Sequence, residues 1–360
     1  AGKRVVADMR WADRLAALVP EDAAPTFRTH EAVRTALEAA CRSSDGLATF
    51  HEIGRSEEGR PLDAVVMGTG TRTVLLLAGA HADEPVGPET LRHLVLEGLK
   101  QPELLRPLLE RFRFVILPHI NPDGEVRNRN WTERWPSLEA YLTGVVRELP
   151  GRDLEFGYPD LRAENRAIAA FLQAYAPFDL YVNLHSMGFA EGALLLIERH
   201  WSFRTEALQQ AFADAARAVG LELHDHNRKG EKGFFYLGPG FMTTPEGEAM
   251  RTFFLAKGDP DTAAHFRMSS MEFVRSLGGD PLCLVTELPL FVVRHRPSPP
   301  GVPVAYLEFR EQLPELRLRA EKGAPLDEAR RLFGLRALPL AIAMRLQLQT
   351  IGFALEAIGA

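Results

Sequence analysis

Short, largely apolar runs alternate along the chain with stretches of helical periodicity, and this alternation constrains the fold more than any other feature. Val74–Ala78, Phe112–Leu117, Asp179–Leu184, Ala193–Ile197 and Leu282–Val285 read as strands. Residues 31–41, Pro88–Leu99, Leu161–Leu172 and Glu206–Val219 read as helices; Leu91, Leu94, Val95 and Leu99 form one apolar stripe. Strands that are apolar on both faces belong to a sheet covered by helices on both sides. The expected fold is therefore α/β: a mixed, mostly parallel central sheet flanked by helices. Such sheets bind ligands beyond the carboxyl ends of their strands.

Pro297, Pro299, Pro300 and Pro303 mark a stiff linker, after which the chain turns helical. Three segments follow: 1–50, an N-terminal helical segment packing on the core; 51–296, a catalytic domain; and 297–360, the linker with a helical C-terminal extension. In the extension, Leu340, Met344, Leu348, Ile351, Leu355 and Ile358 form a single helical stripe. That stripe suits docking on the chain's own core, with a homo-oligomer through the C-terminal helices as the alternative.

Several function classes lose support. A net charge of −6 argues against a nucleic-acid partner. Neither a phosphate-cradling G-x-x-x-x-G-K-[ST] nor a G-x-G-x-x-G motif is present. No uncharged apolar run reaches membrane-spanning length. Cys41 and Cys283, the two cysteines, read as buried thiols. Residues 1–16 lack an apolar signal-peptide core, which fits a cytoplasmic chain; a leader already removed would leave no trace.

The chemistry-bearing residues sit where strands end. His81-Ala-Asp-Glu84 follows Val74–Ala78 directly. A turn leaving a strand can aim residues i and i+3 at one point, so an imidazole nitrogen and a carboxylate oxygen can share a divalent metal. His-x-x-Glu alone is common on helix surfaces. A third ligand, His185 in YVNLHSMG, again ends a strand, and the set leaves a fourth position open for water. Glu287 in LVTELPL is placed as general base. Asn121-Pro-Asp-Gly124 reads as a turn that would carry Asn128 and Arg129 to the same rim, where an arginine fork and an amide could hold a carboxylate. His224-Asp-His226 reads as an exposed strand edge, and His119 as an orienting residue for the nearby loop.

Taken in order, HADE, NPDG with NRNW, LHSMG and TELP resemble the zinc carboxypeptidase A/B-like metallopeptidases. The upstream GRSEEGRPLDAVVMG resembles that family's opening, so the likeness spans about residues 50–290. The resemblance implies a zinc carboxypeptidase-like fold and one Zn²⁺ held by His81, Glu84 and His185. It implies that Glu287 is base and then acid, and that Asn128 and Arg129 grip the substrate's terminal carboxylate. Arg127 would polarise the scissile carbonyl. The substrate would be a peptide with a free carboxylate, and the activity release of C-terminal residues. Two departures stand out. The loop between Gly124 and Arg127 is cut short, and no tyrosine lies between Tyr236 and Tyr306, where the family carries a mobile one. Tyr236 and His265 stand nearest that role. A zinc deacylase or amidase acting on N-acyl amino acids or cell-wall peptides would use the same motifs. A non-catalytic binding module of the same fold is the alternative of another class.

Overall fold

The computed structural model describes residues 6–359. Eleven strands form the sheet: β1 Ala48–Arg55, β2 Pro61–Met67, β3 Arg72–Ala78, β4 Phe112–Leu117, β5 Leu180–Ala190, β6 Gly192–Ile197, β7 Glu222–Leu223, β8 Tyr236–Gly238, β9 Phe241–Thr243, β10 Leu282–Val292 and β11 Arg336–Ala337. The main order is β1-β2-β4-β3-β5-β10-β6-β9-β8. The four central strands, β4, β3, β5 and β10, are parallel. Antiparallel pairing dominates outside them, as in the β1–β2 hairpin and the β10–β6 pair. The sheet is thus mixed, flanked by helices on both faces.

Period-2 side-chain alternation builds two cores from the same strands. Val74, Leu76 and Ala78 of β3 face one core, with Phe114 and Ile116 of β4 and Leu180 and Val182 of β5. Leu75, Leu77, Val115, Leu117 and Tyr181 face the other. The first core takes the helices Val86–Lys100, Pro102–Arg111, Glu206–Ala218 and Leu340–Gly359, and the second takes Ala163–Gln173 and Ser270–Ser276. Every member of the stripe from Leu340 to Ile358 is buried. The last helix packs on Trp11–Ala16, Glu206–Ala218 and Val86–Lys100. Its apolar face is taken up inside the chain and offers no surface to a second copy. Buried Gln347 joins that helix to β10, accepting from Thr90 Oγ1 and donating to Thr286 Oγ1. No helix among the described residues is long and apolar enough to cross a membrane, and Cys41 and Cys283 are free, buried thiols.

The segment after β4 departs from the expected turn. Asn121-Pro-Asp-Gly opens the helix Pro122–Thr132: the Asn121 side chain accepts the Gly124 N–H, and Pro122 occupies the first turn, where a missing N–H costs nothing. Positions 121, 124, 125, 128 and 131 then share the inward face. Glu125 accepts from Arg92 and from the His30 N–H. His119 lies behind them, its Nδ1 accepting the Asn121 N–H.

Burial holds the His119 imidazole down to about 4, with Glu125 opposing. Its unfolded value is about 6.5, so the unfolded chain takes up a proton that the fold refuses. Stability should therefore drop as pH falls from about 6.5 towards 4, by on the order of 2–3 kcal/mol from this residue. Urea midpoints measured across that range should decline in the wild type. The decline should be shallower in His119→Gln, which keeps an acceptor but no titratable ring; identical slopes would remove His119 as the cause.

Candidate metal and active site

The turn from β3 into the Val86–Lys100 helix begins at Gly79, whose φ is +84°. A Cβ there would collide with the His119 ring, so glycine alone lets the chain leave the strand at this angle. The turn then closes through the Glu84 N–H donating to the His81 carbonyl. His81 Nδ1 lies 2.8 Å from Glu84 Oε2. From the neighbouring strand β5, His185 Nδ1 lies 2.9 Å from Glu84 Oε1, which also accepts the Ser186 N–H. One ligand atom from each of His81, Glu84 and His185 lies within 4.8 Å of the others. Two imidazole nitrogens and one carboxylate are a donor set suited to Zn²⁺. Parallel pairing of β5 with β10 sets Glu287 directly opposite His185. The four residues expected from sequence therefore converge.

Electrostatics mark the cluster. Burial works against ionising Glu84, but His81 and His185 outweigh it and hold the carboxyl well below its usual range. Burial, followed by the charge of Glu84, pushes Glu287 the other way, up to about 8. The two carboxyl groups of the cluster are thus driven in opposite directions.

Further residues complete the site, and sequence reasoning missed them. Asp153 Oδ2 lies 2.9 Å from His81 Nε2, on the far side of the ring from Glu84. Glu155 Oε2 stands 4.0 Å from His185 Nε2 and is fixed by Asn183 and Ser270. Carboxylates behind imidazole ligands set their tautomer and raise their basicity. Arg147 donates to Glu84 Oε2 at 3.1 Å and approaches Asp83 and His81. The only sequence signal for these three was their charge in a Gly/Pro-containing loop, which by itself points nowhere.

The structure does not bring Arg127, Asn128 and Arg129 to the site. Asn128 is fully buried; its amide donates to the Gly124 and Val146 carbonyls and accepts from Trp131 Nε1 and the Val146 N–H. It is a core fastener with no free group. Arg127 pairs with Glu58 on the surface, and Arg129 faces Glu31 and Glu133. The cause is the helix Pro122–Thr132: with 121, 125 and 128 inward, 127 and 129 fall on the outer face. Tyr236 is also elsewhere, donating to Asp225, and His265 is not among the cavity residues.

The cavity has a volume of about 510 Å³ and is lined by His81, Glu84, Arg147, Asp153 and Glu287 among others. Its tyrosines are Tyr141 and Tyr306. Tyr306, Phe309, Arg310 and Arg317 come from the helix Val304–Glu321, so the segment after the proline-rich stretch forms one wall. His224 is another correction: it is buried in the cavity wall and not at an exposed edge.

Residues 33–137 match the family model described as zinc carboxypeptidase. Mouse carboxypeptidase M is 30% identical over 192 residues, covering 48% of this chain and 41% of that protein. Over part of its length the chain is thus similar to zinc carboxypeptidases. A crayfish (Astacus astacus) carboxypeptidase B is 22% identical, with 42% of this chain and 52% of that protein covered. The chain spans about two fifths to one half of the curated relatives it matches. One relative, from Ajellomyces capsulatus, is described as an inactive metallocarboxypeptidase and is 32% identical over 98 residues, 24% of this chain and 16% of that protein. Among solved structures, a metallo-carboxypeptidase from Burkholderia cenocepacia superposes with a TM-score of 0.49 at 17% identity, covering 90% of this chain and 68% of that one.

Zinc added to metal-stripped protein should raise the melting temperature and bind at about one ion per chain. His185→Ala should abolish that binding. Asp153→Asn should weaken it by roughly 10- to 100-fold, read by competition with a chelating dye, because it removes only the group behind His81. Unchanged affinity in both variants would dissolve the proposed ligand set.

Proposed function

We propose that the chain is a zinc-dependent hydrolase that removes C-terminal amino acids from peptides. The observation that carries this reading is the register of Glu287 opposite His185, which sets a carboxyl group beside the His81–Glu84–His185 donor set. In this reading His81, Glu84 and His185 hold the metal. When bound, zinc would acidify water and polarise a carbonyl. Glu287 takes the proton from the attacking water and returns it to the leaving amine. Asp153 fixes the ring of His81. Arg147 takes the carbonyl-polarising place that the resemblance gave to Arg127, since it is the arginine that contacts Glu84 and lines the cavity. A binding module would have no need of a half-buried carboxyl without an ion-pair partner such as Glu287.

A second reading, a deacylase or amidase on N-acyl amino acids or cell-wall peptides, gains from one observation. The expected clamp of Asn128 and Arg129 is absent from the cavity, so recognition of the carboxylate falls to other groups. Release of single residues from a mixed peptide pool, set against cleavage of N-acyl amino acids, separates the two.

Glu287→Gln should keep zinc and lose about 10²- to 10⁴-fold in turnover. Turnover near the wild-type value would overturn the base assignment. Arg127→Ala and Arg129→Ala should stay within about twofold of wild type in kcat/KM. A hundredfold loss in either would return the clamp to the 127–129 segment.

A further inference from the structure

The cavity holds a second cluster of side chains that the hydrolytic reading leaves unused. It is formed by the segment after β7 and by the helix Val304–Glu321. Arg228, Lys232 and Arg310 line the cavity there, with His224, His226 and Tyr306. The acids that line the cavity are Asp83, Glu84, Asp153 and Glu287, and all four belong to the candidate metal and active site. Arg228 is offset by Glu231 at 2.9 Å. Lys232 and Arg310 have no carboxylate within ion-pair reach among the described residues; their cations rest over the rings of Phe253 and Tyr306, at 4.7 and 5.5 Å. With Arg317, which also lines the cavity and has no ion pair among the described residues, three cations are left there without a counter-charge.

His224 supplies an independent sign of a ligand. It is completely buried. Its Nδ1 accepts the main-chain N–H of Glu191 at 3.2 Å, so the neutral ring carries its proton on Nε2. Burial, reinforced by His226 and Arg228, holds the ring down to about 3 and keeps it neutral at ordinary pH. Nε2 has no hydrogen-bond partner. A buried donor left unmatched costs on the order of 1–3 kcal/mol, and buried donors nearly always find an acceptor. Within this cavity wall the fitting acceptor is an oxygen of a bound molecule.

We propose that His224, Lys232 and Arg310, with Arg228 beside them, form a carboxylate-binding subsite, and that the residue released by this hydrolase is a dicarboxylic amino acid of the aspartate or glutamate class. The inference rests on the hydrolase reading for the word released, but its binding component stands apart from turnover. Several uncompensated cations suit a ligand with two carboxylates, one terminal and one on the side chain, better than one with a terminal carboxylate alone. The missing 127–129 clamp strengthens the match, because no arginine from that segment shares the task. Arg317, farther along the same helix and also lining the cavity, adds to the positive field that draws such a dianion in.

The test is calorimetric titration of the zinc-loaded protein with L-glutamate and with L-glutamine, which differ only in the side-chain charge. Glutamate should bind at least about tenfold more tightly. Arg310→Gln, on an exposed helix position that folding tolerates, should bring the ratio close to one, and Lys232→Gln should do the same. His224→Asn serves as the third variant and should weaken both ligands if it remains folded by circular dichroism. Equal affinity for the two amino acids in the wild type would overturn the proposal. So would an equal loss for both in Arg310→Gln, since the cluster would then hold the terminal carboxylate alone. Hydrolysis of acyl-glutamate against acyl-leucine substrates separates the two levels. A glutamate preference in binding without any amide cleavage would remove the hydrolase and leave the subsite. Cleavage with no preference would keep the hydrolase and remove the subsite.

Discussion

A single buried carboxylate, Glu84, ties the centre of this molecule together. One of its oxygens meets His185 and the Ser186 N–H of β5; the other meets His81 and Arg147. An ionised carboxylate is costly away from water unless it is paired and hydrogen-bonded. The cost is met here by groups from three separate stretches of chain, so the turn after β3, strand β5 and the loop carrying Arg147 must all be in place together. Metal binding would draw on the same constraint: a site assembled from distant segments exists only in the folded chain, and ligand affinity then becomes folding free energy.

Around that centre, register does the positioning. The parallel pairing of β5 with β10 fixes Glu287 against His185, and a slip by one residue would turn both side chains to the opposite face of the sheet. Gln347 and Thr286 reinforce the pairing from the far core, one residue away from Glu287. The last helix thus contributes to the site without touching it, because its buried apolar stripe and its one buried amide hold β10 at the correct height.

The sequence was informative where local geometry decides. A His-x-x-Glu tetrad immediately after an apolar strand sits in a turn whose width is set by a few backbone angles, so the meeting of His81 and Glu84 could be anticipated. His185 and Glu287 were expected where apolar strands end; both strands in fact run on, and the two residues stand in the middle of β5, Leu180–Ala190, and β10, Leu282–Val292. The 127–129 segment failed for the same kind of reason turned round. Asn-Pro-Asp-Gly is a turn signal and also a helix-start signal, and only the packing of Glu125 against Arg92 and of Asn128 against Trp131 and Val146 chose the helix. Asp153 and Glu155 carried no local pattern; their value lies wholly in what stands opposite them.

What the sequence by itself determined is the alternation of strands and helices, the two-faced burial of the central strands, and the identity of four residues, His81, Glu84, His185 and Glu287. These follow from side-chain periodicity and short-range backbone geometry, which need no knowledge of distant segments. Only the tertiary structure decided which arginines face the cavity, which acids stand behind the histidines, and that the helix after the proline-rich stretch closes the cavity with Tyr306 and Arg310. Those choices depend on which face of an element finds a partner. A helix buries whichever face meets the densest set of apolar and hydrogen-bonding neighbours, and those neighbours lie tens of residues or more away in the chain.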